Sequence, residues 1–97
     1  MATVWILYEG EESSRMLEPA SLDVLDLAIS EERALEMYNR NKVELRDAVE
    51  KTWTKSQIVM AISLEKYLNE NELIEDKRRV YYCGIYRLIL EKYEGIL

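Results

Sequence analysis

Five consecutive apolar residues, Val4-Trp5-Ile6-Leu7-Tyr8, open the pattern of the chain. A short apolar run with β-branched and aromatic members, ended by Glu9-Gly10, predicts a buried strand. Polar punctuation runs from Glu11 to Pro19. Leu22 to Ile29 fits two periods. Leu22, Leu25 and Ile29 make a helical face capped by Ser21, whereas Leu25, Leu27 and Ile29 alternate as in a strand. Ser30 reads as a helix N-cap, with Glu31 and Glu32 at the positive end of the helix dipole. Ala34, Leu35 and Tyr38 form the stripe of that helix. The stripe weakens at Asn39-Arg40-Asn41, where asparagine suits a helix end. Leu45, Ala48 and Val49 mark a second short helix.

Thr54-Lys55-Ser56-Gln57 has the spacing of a capping box, in which hydroxyl and amide side chains satisfy each other's backbone N–H groups. A helix from there to Asn69 is expected, with Ile58, Ile62 and Leu68 buried and Lys55 and Ser56 exposed. Two strands then flank the charged turn Asp76-Lys77-Arg78-Arg79. Leu73-Ile74 lies on the first, and Val80-Tyr81-Tyr82 on a second that reaches about Arg87 before a short helix to Glu94. A competing reading makes residues 78–94 one helix, because Tyr82, Ile85, Ile89 and Tyr93 share a helical face. No repeat or linker divides the 97 residues, so a single domain is expected.

Composition narrows the function. With 48% hydrophobic and 33% charged residues, three glycines and one proline, the chain is not of a disordered or low-complexity type. One cysteine excludes a disulfide scaffold, and the absence of histidine removes the commonest general base and metal ligand. No phosphate-binding glycine loop or nucleophile motif is present, so the expectation is a protein with no catalytic residues, metal or cofactor. The longest uncharged stretch, Ser56 to Leu64, falls far short of the ~20 apolar residues of a membrane span. The N-terminus lacks a signal-peptide pattern, and a soluble, cytoplasmic protein is expected. Cys83, in an apolar run, reads as a buried small hydrophobe, and Trp53 as a core plug.

The net charge of −6 is unevenly spread. Residues 1–50 carry twelve acids and five bases, residues 51–97 seven acids and eight bases. No acid lies between Lys51 and Leu64, and Lys77, Arg78 and Arg79 are adjacent. Clearing acids from a stretch protects a surface for a polyanion, or reflects chance on solvated faces.

Val43-Glu-Leu-Arg-Asp-Ala-Val49, the helix from Lys55 to Asn69, and Leu68-Asn-Glu-Asn-Glu-Leu-Ile-Glu75 follow one another in an order that resembles the small winged helix-turn-helix regulators of bacteria, archaea and their viruses. The resemblance covers roughly residues 43–87. It implies an α+β fold of three or more helices packed on a small antiparallel sheet. That sheet would be a β-hairpin wing of about 72–87, joined by a possible N-terminal strand. It also implies a recognition helix over about 55–69. Thr52, Thr54, Lys55, Ser56 and Gln57 would then face the major groove, and Lys77, Arg78 and Arg79 would sit on the wing. The implied function is a transcriptional regulator of duplex DNA, possible as a homodimer through the apolar C-terminal segment Leu88-Ile89-Leu90, Tyr93, Ile96 and Leu97. The alternative from charge is a small acidic inhibitor of the viral type. It would bind a basic protein partner through its −7 half, with no DNA or membrane.

Overall fold

The computed structural model describes residues 2–11, 23–60 and 62–95, for residues 56–60 the backbone alone. Among these, five strands form one antiparallel sheet in the order β2-β1-β5-β4-β3. They are β1 (Thr3–Glu11), β2 (Asp23–Ala28), β3 (Asn71–Ile74), β4 (Arg78–Cys83) and β5 (Tyr86–Glu94). A 30-residue helix α1 (Glu31–Met60) and a single-turn helix α2 (Leu64–Leu68) lead from β2 to β3.

This architecture overturns the winged helix. A sheet of five strands replaces the small wing, and one long helix replaces the bundle. The expected break at Asn39-Arg40-Asn41 is absent because the polar residues there are satisfied within a continuous helix. Asn41 Nδ2 donates back to the Met37 carbonyl at 2.7 Å, and Lys42 Nζ reaches Glu72 at 3.1 Å. Ala34, Met37, Tyr38, Leu45 and Val49 are buried along one side, so the two short stripes are one stripe with a polar interval. The capping box also fails. Thr54 Oγ1 donates to the Glu50 carbonyl at 3.0 Å, and Thr52 Oγ1 to the Ala48 carbonyl at 3.1 Å, the back-bonding of hydroxyls inside a helix. The caps lie elsewhere. Ser30 Oγ accepts the Arg33 N–H at 3.3 Å, as expected, and Ser63 Oγ accepts the Lys66 N–H at 3.3 Å.

The β3–β4 hairpin stands at the expected charged turn, with Glu75 N–H donating to the Arg78 carbonyl at 2.7 Å. Beyond it, the expected helix to Glu94 is strand β5, and the one-helix alternative fails with it. Gly84, with φ at 61°, turns the chain from β4 into β5. Leu88, Ile89 and Leu90 are all buried because β5 is central and apolar on both faces. Across Leu88-Ile89-Leu90 consecutive positions are apolar, so the strand satisfies a helical template too. Leu88, Ile89 and Leu90 of the C-terminal segment are therefore sheet core and Tyr93 is half-buried, while Ile96 and Leu97 lie outside the described residues.

Alternation sorts the sheet into two faces. Trp5, Leu7, Tyr81, Cys83, Leu88 and Leu90 point toward α1 and form the main core with its stripe. Ile6, Tyr8, Val80 and Ile89 point the other way. Val80 and Ile89 are buried yet separate from the main core.

Candidate interaction surface

The residues assigned to DNA contact whose side chains are described do not form one surface. Lys77 lies in the β3–β4 turn, and Arg78 and Arg79 begin β4. With Trp5, Leu35 and Leu90 they line a groove of about 150 Å³ beside Glu31, at the start of α1. Thr52 instead lines a cleft with Gly84 and Ile85, at the opposite end of β4. From Glu31 to Thr52 the helix climbs roughly 30 Å. Thr52, Thr54 and Lys55 are exposed on the last turns of α1, whereas the side chains of Ser56, Gln57 and Ile58 lie outside the described residues. Among the described residues, no recognition helix stands beside a wing. Ile62, expected to be buried, is only half-buried, while Leu68 is 3% exposed.

The basic groove is electrically mixed. Glu31, Glu75 and Asp76 line it with the three bases and Lys92. Lys77 Nζ approaches Glu94 at 3.9 Å, and Lys92 Nζ pairs with Glu94 at 3.0 Å. The Lys92 ammonium also lies over an aromatic face, 5.7 Å from the Trp5 ring centre. Arg79 sits on the helix side of β4, where its charge favours ionisation of Tyr38 and Glu72.

A polar seam ties α1 to the β3 side of the sheet. Tyr38, fully buried, donates its hydroxyl to Glu72 at 2.6 Å, and burial together with that carboxylate pushes the phenol far up. The Tyr38 hydroxyl first, then the Lys42 ammonium, holds the Glu72 carboxyl below its ordinary value. Arg46 Nε reaches Glu70 at 2.9 Å and its Nη1 reaches Glu50 at 3.1 Å. The Tyr81 hydroxyl donates to Glu70 at 3.1 Å. Burial raises the neighbouring Cys83 thiol, in keeping with an inert buried sulfur. These groups are partnered with one another and fasten the helix to the sheet.

The β2 edge is different. Val24 and Leu27 are each 59% exposed, Leu25 is 40% and the following Ile29 is 86%. Monomeric surfaces seldom concentrate large apolar side chains this way. Register places Val24 and Leu27 beside Tyr8 and Ile6 on the helix-free face, and Asp23 and Asp26 beside Glu9 and Leu7 on the helix face. β2 is thus apolar on one side and acidic on the other. Asp26 Oδ1 accepts the Leu27 N–H at 2.8 Å and lies 4.0 Å from Arg40. The sequence hides this arrangement because the β1–β2 ladder shifts register between Leu7 and Tyr8. Leu25 is the extra residue, and a one-residue bulge breaks the period of two on which strand patterns are read.

No protein-family model, no curated protein and no solved structure matches this chain. Among the described residues, no helix is long and apolar enough to cross a membrane.

Proposed function

We propose that the chain is a non-enzymatic binding protein whose β2 edge captures an extended basic segment of another protein. The observation that carries this reading is the two-sided chemistry of β2, with Val24 and Leu27 open on one face and Asp23 and Asp26 on the other. A segment added to β2 presents its side chains to the two faces in turn. Alternating apolar and basic residues then meet the two hydrophobes on one side and the two carboxylates on the other. An incoming carbonyl takes the Leu27 N–H, and the Asp26 carboxylate turns to the segment's cation. The net charge of −6 favours such a partner over long range. The basic surface of a nucleic-acid-handling enzyme is of this class. Duplex DNA is the less supported ligand, because the bases assigned to it lie at opposite ends of α1 and one cluster is interleaved with acids.

The test is an amide-shift titration of the isotope-labelled protein with a Lys-Val alternating peptide of about ten residues, a strand-length ligand. A Glu-Val peptide and a random duplex serve as comparisons. The Lys-Val peptide should move the amides of residues 23–29 and weaken with salt, and Leu27→Lys should abolish its binding while leaving the circular dichroism unchanged. Equal binding of the Glu-Val peptide, or shifts centred on Lys77–Arg79 with duplex DNA alone, would falsify the reading.

A further inference from the structure

A second cleft, of about 450 Å³, opens at the other end of the molecule, between the last turns of α1, the helix α2 and the β4–β5 turn. Its size falls within the range of small-molecule sites, roughly 300–1,000 Å³. Val49, Ile62, Tyr67 and Ile85 supply apolar walls. The site is built by specific backbone features. Gly84 N–H donates to the Leu68 carbonyl, drawing the β4–β5 turn onto α2. Its φ of 61° makes the turn, and a Cβ there would meet Val49 and the Tyr67 carbonyl only at ordinary contact distance, 3.6 and 3.5 Å. Trp53 Nε1 donates to the Ile62 carbonyl at 2.7 Å, fixing the far wall and removing that oxygen from the cleft. Ile85 is 54% exposed at the mouth, a large hydrophobe with open space on its cleft side.

The Thr52 hydroxyl at the rim is spent on the Ala48 carbonyl. Lys66 and Asn69 line the cleft, and among the described residues no carboxylate pairs with the Lys66 ammonium. Glu50 on α1 and Glu70 just before β3 are both engaged with Arg46. Apolar walls beneath an amide donor and a cation with no carboxylate partner among the described residues match a body without charge that ends in an acceptor-rich anion. We propose that this cleft binds a small apolar monocarboxylate, its hydrocarbon body against Val49, Ile62 and Ile85 and its carboxylate on Lys66 and Asn69. The site is separate from the β2 edge and does not depend on it.

Naphthoate, with neutral naphthalenemethanol as its partner probe, tests the assignment by amide-shift titration of the whole chain. Naphthoate should saturate one site and move the amides of Thr52, Tyr67, Gly84 and Ile85. Lys66→Met should weaken naphthoate about tenfold, the scale of one charge-assisted hydrogen bond, and leave naphthalenemethanol unchanged. Ile85→Ser, at an exposed position, should weaken both probes. The proposal is overturned if naphthoate fails to saturate, if its shifts lie elsewhere, or if Lys66→Met affects the two probes alike.

Discussion

Glu72 concentrates the residue-scale energetics of the molecule. Its carboxylate accepts from the buried Tyr38 hydroxyl and the Lys42 ammonium, and both hold its pKa below the ordinary value of 4.5. The unfolded chain therefore takes up this proton before the folded one does. The linked stability is fully present above about pH 4.5 and is lost as pH falls below it. Chemical denaturation midpoints measured from pH 6 downward should show this acid-side decline, and Glu72→Gln should flatten it. An identical decline in the variant would mean that Glu72 is not its source. Glu94 is also lowered by Lys92, but that pair is solvent-screened and should add little. At this scale the sequence is readable where chemistry is apolar. Cys83 is buried as expected, because a small hydrophobe in an apolar run has few other places to go. Trp53, read as a core plug, is half-buried with its N–H on Ile62. The Tyr38–Glu72–Lys42 node is not readable, since its members are brought together only by packing α1 on β3.

At the scale of elements, strong local signals survive and ambiguous ones yield to tertiary context. β1, the β3–β4 hairpin, the Ser30 cap and the left-handed Asn69 end at φ 42° all stand where the pattern places them. Thr54 shows the limit. Its capping-box spacing is sound, but a hydroxyl inside a helix has an equally good partner four residues back, and the packed stripe through Leu45 and Val49 carries the helix past it. The two serine and threonine sites make an opposed pair. Ser30→Ala should cost about 1 kcal/mol in unfolding free energy, the usual loss of an N-cap. Thr54→Ala should leave stability unchanged or raise it by a few tenths of a kcal/mol, because alanine is the better interior helix former. Denaturant unfolding of both variants decides it, and a large loss for Thr54→Ala would restore a helix start at that position.

The whole-molecule topology is the part the sequence concealed most. The order helix, hairpin, strand is equally compatible with a small wing and with a five-stranded sheet. What distinguishes them is the pairing of β1 with β5, nine residues from Thr3↔Glu94 to Glu11↔Tyr86, which no local pattern records. That pairing has a consequence for the life of the chain on the ribosome. Of the five described strands, the last in sequence, β5, fills the middle of the sheet, hydrogen-bonding β1 on one side and β4 on the other. Until it emerges, β1 and β2 form only a two-stranded ribbon, and such ribbons are marginal in water. A fragment stopped after Ile85 should accordingly show no cooperative thermal transition, and a cooperative melt of that fragment would refute this order of assembly. The β2 edge is thus a late product of synthesis. Presentation of the proposed binding edge therefore waits on the closure of the sheet by β5.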